Sequence, residues 1–154
     1  MLTDDMKRKI EAEILTGPNK KSACIDAMQT VQSSLGWVSD DSLKDIADFL
    51  DMTIDELDSV ATFYNHIYRK PVGRHVILVC NSVSCWIMGF GRVLDYFTEH
   101  LGIKMGETTP DGRFTLLPVE CLGACDRAPA IMIDGELHWD LDRKKIETVL
   151  ENYK

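Results

Sequence analysis

The sequence predicts an α+β protein in which a small bundle of helices precedes a mixed β-sheet covered by helices. Apolar residues recur at helical intervals throughout residues 1–70. After Gly73 the pattern changes to short β-branched runs separated by turn signals. We therefore expect two domains, a helical bundle in residues 1–70 and a mixed α/β domain in residues 71–154.

Two helices are predicted in the first part of the bundle. The first follows Thr3 and ends at Gly17, and the second runs from about Lys20 to Leu35, where Gly36 provides a C-terminal stop. The apolar side chains that we expect to face the core are Met6, Ile10, Ile14, Ile25, Met28, Val31 and Leu35.

Two further helices complete the predicted bundle. Ser39 is placed to cap the third helix, while Thr53 and Glu56 have the spacing of a capping box at the start of the fourth. The inward residues expected here are Leu43, Ile46, Phe49, Leu50, Leu57, Val60 and Ala61. With only short connections between them, the four helices are expected to bury their apolar faces against one another.

Strand signals dominate the second domain. Buried strands are predicted at residues 75–80 and 114–117, with a helix over residues 89–101 between them. Asp134-Gly135 is a hairpin signal between strands 130–133 and 136–139, and Asp142 is placed to cap a final helix. If the two strands of the hairpin are counted as one element, the predicted order of strands and helices is β-α-β-β-α.

Composition limits the classes of function. The chain has 154 residues, of which 45% are hydrophobic, and a formal net charge of −8 at pH 7. An acidic protein lacks the basic surface that binding to nucleic acid or anionic lipid requires. No apolar run is long enough for a membrane span, and the N-terminus resembles neither a secretion signal nor a transit peptide. We therefore expect a soluble intracellular protein.

Four of the five cysteines fall in two close pairs just beyond predicted strands. Cys80 and Cys85 have C-x₄-C spacing, and Cys121 and Cys125 have C-x₃-C spacing. If the two preceding strands are parallel neighbours, both pairs lie at one end of the sheet and the four thiolates converge there. An odd cysteine count without a secretion signal fits a disulfide framework poorly, so metal or redox chemistry is indicated.

Three kinds of chemistry suit four thiolates in this arrangement. A binuclear iron–sulfur cluster takes two thiolates per iron, and the longer x₄ and x₃ loops suit its width. A structural zinc also accepts four cysteines, although such sites mostly use x₂ loops in domains that lack a core. A dithiol or disulfide pair is the third interpretation, although thiol oxidoreductases use C-x-x-C. The spacing favours the cluster and leaves the other two open.

The residues around the cysteines are suited to an anionic centre, which needs nearby hydrogen-bond donors when it is buried. Gly123 permits a close approach of the backbone to the sulfurs, and Ser82 and Ser84 offer hydroxyl donors. Trp86 and Pro129 are candidates to exclude water. For each serine, simple solvation of a loop is an equally ordinary explanation.

Cys24 stands apart from these pairs, within the second predicted helix. We expect it to be a small buried hydrophobic residue and not a ligand. The four histidines are scattered and lack the spacing of metal ligands.

Both cysteine pairs and several longer segments resemble a known family. The pattern C-x₄-C, 35 intervening residues and C-L-G-x-C-D-x-A-P is similar to the thioredoxin-like [2Fe–2S] ferredoxins. The chain more closely resembles the small iron–sulfur subunits (NuoE type) of the NADH dehydrogenase module of bacterial respiratory complex I. The similar segments span nearly the whole chain: Gly36-Trp37-Val38, Val60-Ala61-Thr62-Phe63-Tyr64, Pro71-Val72-Gly73-Arg74-His75-Val76 and Thr108-Thr109-Pro110-Asp111-Gly112-Arg113-Phe114-Thr115-Leu116.

This resemblance implies a thioredoxin-like fold for the second domain and a division of labour between subunits. It implies that one [2Fe–2S] cluster is bound by Cys80, Cys85, Cys121 and Cys125. FMN and NADH are bound by a partner flavin subunit (NuoF type), with which the cluster exchanges single electrons. The chain is thus expected to act as a subunit of an NADH:quinone oxidoreductase, with no complete active site of its own.

The resemblance also implies a location and a role for the helical bundle. We expect the chain in the peripheral arm of complex I, on the cytoplasmic side of the inner membrane, with residues 1–70 as a partner-docking region. The same type of subunit in an NAD-linked hydrogenase or formate dehydrogenase is an alternative. A zinc-organised interaction module is the alternative from a different class of function.

Overall fold

The structure, a computed structural model, describes residues 2–153. The chain divides into two compact units, one ending at Pro71 and the other beginning at Val72. The first unit is helical and the second contains a four-stranded mixed sheet with helices. The α+β class predicted from the sequence is confirmed.

Side-chain caps determine where most helices of the first unit begin. Its helices are α1 (Asp4–Thr16), α2 (Cys24–Leu35), α3 (Asp40–Phe49) and α4 (Ile54–Phe63). The side chains of Thr3 and Ser39 accept hydrogen bonds from backbone N–H groups in the first turns of α1 and α3. Thr53 and Glu56 form the predicted capping box at the start of α4.

The second helix ends at Leu35 before Gly36 as predicted, but its start and the burial of its last residue differ from the prediction. Residues Lys20–Ala23 form a 3₁₀ turn capped by Asn19, and the α-helix begins only at Cys24. Leu35 does not face the core as predicted but is exposed, because it is the last helical residue before Gly36 turns the chain at φ 84°. The fully buried side chains of this unit include Ile10, Met28, Val31, Leu43, Ile46, Leu50 and Leu57.

The second unit places two parallel strands side by side. Its elements are β1 (His75–Cys80), α5 (Val83–Met88), α6 (Phe90–Leu101), β2 (Phe114–Val119), β3 (Ile131–Ile133), β4 (Glu136–His138) and α7 (Arg143–Glu151). The order in the sheet is β2-β1-β3-β4, with β1 parallel to β2 and antiparallel to β3. The condition that the two strands are parallel neighbours is met, so the loops after β1 and β2 leave the same end of the sheet.

In the second unit, one helix is not predicted, one predicted strand is longer than expected, and the predicted hairpin turn is present. A short helix, α5, is absent from the prediction and is separated from α6 by Gly89 at φ 129°. Strand β2 continues through Pro118, because an edge strand tolerates a residue without an N–H group. Asp134 and Gly135, at φ 50° and 89°, form the predicted two-residue hairpin turn.

The core of the second unit lies between the sheet and its helices. Apolar faces of α6 and α7 pack with the inward residues of the strands, including Val93, Phe97, Ile77, Leu116, Ile131, Ile133 and Ile146. Because this core fixes β1 and β2 in register, with Cys80 opposite Val119, it also fixes where the two cysteine loops begin.

Candidate metal centre

Four cysteines lie around the end of the sheet where β1 and β2 finish. Cys80 is the last residue of β1, and Cys85 lies within α5, which follows almost directly. Cys121 comes two residues after β2, and Cys125 begins a 3₁₀ turn. The thiols of the first pair are buried, whereas those of the second pair are exposed.

The four thiols interact within each pair and between the pairs. The Sγ atoms of Cys121 and Cys125 are 3.2 Å apart, and the Cys80 thiol acts on Cys85 and raises its pKa. Cys125 also interacts electrostatically with both Cys80 and Cys85. The structure therefore places the two pairs near each other at one end of the sheet. Cys24 lies in the first unit, partly buried against its core.

Hydrogen-bond donors lie near three of the sulfurs. The N–H group of Gly123, a residue at φ 83°, donates to Cys121 Sγ at 3.3 Å. The Ala130 N–H group lies near Cys85 and the Ser84 hydroxyl lies near Cys125, where each acts to lower the pKa of that thiol. These donors stabilise negative charge on sulfur. The sequence identifies Gly123 and Ser84 but not Ala130, because a backbone donor leaves no signature in residue type.

One expectation about the surroundings of the cysteines is wrong. Trp86 is 69% exposed and so does not shield the sulfurs in this chain. Ser82 is the N-cap residue of α5 but makes no side-chain capping hydrogen bond there. Pro129, in contrast, is buried.

The pKa values of the thiols differ between the two pairs. Burial, together with the neighbouring Cys80 thiol, raises the pKa of Cys85 to about 11. The Gly123 N–H group lowers the pKa of Cys121, whereas the hydrogen bond with Cys121 raises the pKa of Cys125. Of these three thiols, Cys121 is thus the one most readily ionised.

This difference predicts an order of alkylation in the metal-free protein. Because the thiolate is the nucleophile, iodoacetamide at about pH 8 is expected to modify exposed Cys121 at least about tenfold faster than buried Cys85. Peptide mass spectrometry over a time course measures both rates. In urea the two rates should converge, and equal rates in the folded protein would contradict the assigned environments.

The chemistry of the donor set fits a binuclear iron–sulfur cluster. Two cysteine pairs with N–H and O–H donors near their sulfurs match the need of an anionic cluster for two thiolates per iron and for nearby donors. In the part of the chain that the structure describes, no group of three or more His, Cys, Asp or Glu side chains is arranged to hold a metal ion.

Comparison with known proteins agrees with this donor set. The family model for thioredoxin-like [2Fe–2S] ferredoxins matches residues 10–154. The chain is 43% identical over 153 residues to the E subunit of NADH-quinone oxidoreductase from Pseudomonas aeruginosa, covering 99% of this chain and 92% of that relative. It is 45% identical over 148 residues to the corresponding protein of Escherichia coli K12, covering 96% of this chain and 89% of that relative.

The fold is also similar to that of a solved structure. The crystal structure of an NAD+-reducing [NiFe]-hydrogenase in the air-oxidized state matches with a TM-score of 0.70 and 24% identity. The match covers 84% of this chain but only 22% of the hydrogenase chain. At this level of identity, the similarity supports the fold alone.

Proposed function

The chain belongs to the thioredoxin-like [2Fe–2S] ferredoxin family, and from this premise we propose that it is the electron-transfer subunit of NuoE type in an NADH-quinone oxidoreductase. The observation that carries the proposal is the placement of two cysteine pairs at one end of the sheet, with hydrogen-bond donors near three of the four sulfurs. Relatives at 43% and 45% identity support this host complex over a hydrogenase or a formate dehydrogenase.

The four cysteines are the proposed ligands of one [2Fe–2S] cluster: Cys80, Cys85, Cys121 and Cys125. Such a cluster, when bound, accepts and returns one electron at a time. The chain's own contribution is to bind it and to stabilise the negative charge on the ligand sulfurs. The Gly123 N–H group donates to Cys121, and the Ala130 N–H group and the Ser84 hydroxyl lie near Cys85 and Cys125; such donors favour the reduced state and so set the potential.

A flavin-binding subunit of the same complex is the proposed partner, and it supplies the FMN and NADH sites. The supporting feature is the α5 patch, which consists of the exposed apolar side chains of Val83, Trp86, Ile87 and Met88. An exposed apolar group of this kind marks an interaction surface. Because the same short helix carries Cys85 on its buried side, a partner covering the α5 patch lies close to the proposed cluster ligands.

The helical unit is proposed as a second docking surface for the complex. Phe63 and Tyr64, at the end of α4, are exposed and pack edge to face with each other. Among residues 2–153 no helix has both the length and the apolar character needed to cross a bilayer. From the similarity to E subunits of NADH-quinone oxidoreductase, we propose that the chain lies in the peripheral arm, on the cytoplasmic side of the inner membrane.

A visible spectrum of the full chain tests this function. Protein purified without oxygen is expected to be reddish-brown, with an absorbance that bleaches when dithionite is added. The Cys24→Ser variant should behave in the same way. A colourless protein with stoichiometric zinc would instead support the zinc-organised interaction module.

A further inference from the structure

The second cysteine loop, residues 121–129, is held against the segment that joins β4 to α7. We call the contacts of Arg127 with Asp140 and Trp139 the clamp. Arg127 Nε and Nη2 donate to Asp140 Oδ2 at 2.8 and 2.5 Å. The guanidinium group also lies over the Trp139 ring, 4.7 Å from its centroid. One arginine is thus held from two directions, by a carboxylate and by an aromatic face.

Backbone hydrogen bonds follow the same path as these side-chain contacts. The Asp140 N–H group donates to the Arg127 carbonyl at 2.7 Å, and the Leu141 N–H group donates to the Pro129 carbonyl at 3.2 Å. Asp140 adopts φ 50°, a left-handed conformation that aspartate tolerates better than most residues. The clamp therefore fixes the end of the second cysteine loop through both backbone and side chains.

The clamp lies beside Cys121 and Cys125, the cysteine pair that is exposed and so is not fixed by packing in the core. Cys80 and Cys85 are buried in β1 and α5, whereas Cys121 and Cys125 are exposed. Cys125 and Arg127 belong to the same three-residue 3₁₀ turn, so an arginine fixed at one end of the turn restricts the thiol at the other.

We propose that Arg127 is a positioning residue that, clamped by Asp140 and Trp139, holds the exposed Cys121–Cys125 pair in place to bind a cluster. This inference rests on the proposed function and adds to it a residue outside the four proposed ligands. Neither its type nor its spacing marks it in the sequence as part of a metal centre.

Release of iron to a chelator from the reconstituted full chain tests the inference. Arg127→Gln and Asp140→Asn are each expected to release iron about tenfold faster than the unaltered chain, as is usual when the outer support of a metal ligand is lost. Arg8→Gln removes an arginine from another exposed ion pair, with Asp5 on α1, and should leave the rate unchanged. Thermal unfolding of the metal-free variants checks that each one is folded.

A charge-preserving variant separates positioning from a simple effect of charge. Arg127→Lys keeps the positive charge but cannot donate from two guanidinium nitrogens to Asp140, and it is expected to release iron faster than the unaltered chain. If Arg127 acted only through its positive charge, Arg127→Lys would release iron as slowly as the unaltered chain.

The outcomes distinguish the inference from the function on which it rests. If the unaltered chain takes up no iron, the proposed function is wrong and the role of Arg127 is wrong with it. If the unaltered chain takes up iron and folded Arg127→Gln releases it at the same rate, only the positioning role is overturned.

Discussion

Replacing Cys121 with serine is expected to remove most of the cluster from the purified protein. A neutral hydroxyl is a far poorer ligand for iron than a thiolate, and the Gly123 N–H group that favours the ionised thiol would then serve no ligand. We expect the iron and labile-sulfide contents of the purified protein to fall at least about tenfold. Loss of a group that only supports a metal ligand already costs about that much, and loss of the ligand itself costs at least as much. Visible absorbance and metal analysis of the full chain measure the change.

Cys24→Ser is the matched control for this prediction. It makes the same chemical change at a partly buried cysteine in the first unit, where the side chain packs against the helical core. Its spectrum should match that of the unaltered chain. Equal spectra for the Cys121 and Cys24 variants would show that Cys121 is not a ligand.

Replacing Ile87 with aspartate is expected to weaken binding to the flavin-binding subunit while leaving the cluster intact. Ile87 is 70% exposed in the α5 patch, so its loss should not disturb the core. A charge placed at the centre of an apolar interface costs about 2 kcal/mol or more, which corresponds to at least a roughly 30-fold weaker affinity. Titration of the purified flavin subunit with the cluster-loaded chain measures the affinity.

A variant elsewhere on the second unit controls for the added charge. Thr148→Asp introduces the same negative charge at an exposed position of α7 and should leave the affinity unchanged. If Ile87→Asp binds as tightly as the unaltered chain, the α5 patch is not the docking surface for this partner.

Local signals in the sequence account for most of the fold. Ser39, Thr53 and Asp142 cap their helices as predicted, because N-cap chemistry depends on residues only three positions apart. Helix α5 escapes prediction because six residues are too few for a helical period to become visible. The extension of β2 through Pro118 depends on its place at the edge of the sheet, which only the tertiary structure defines.

Some features of the candidate site can be predicted from the sequence, whereas others depend on the tertiary structure. The spacing of Cys80, Cys85, Cys121 and Cys125 and the parallel strands before them predict that the four thiols meet. The Ala130 N–H group near Cys85 cannot be predicted, since any residue carries such a donor and only the packing aims it. The exposure of Trp86 likewise follows from the position of α5, which the sequence does not reveal.

The most direct test is the iron and acid-labile sulfide content of the anaerobically purified full chain, measured together with electron paramagnetic resonance after one-electron reduction. Four cysteine ligands of a [2Fe–2S] cluster predict two irons and two sulfides per chain and a paramagnetic signal that appears only on reduction. One zinc or one iron per chain, without sulfide and without such a signal, would contradict the proposed centre.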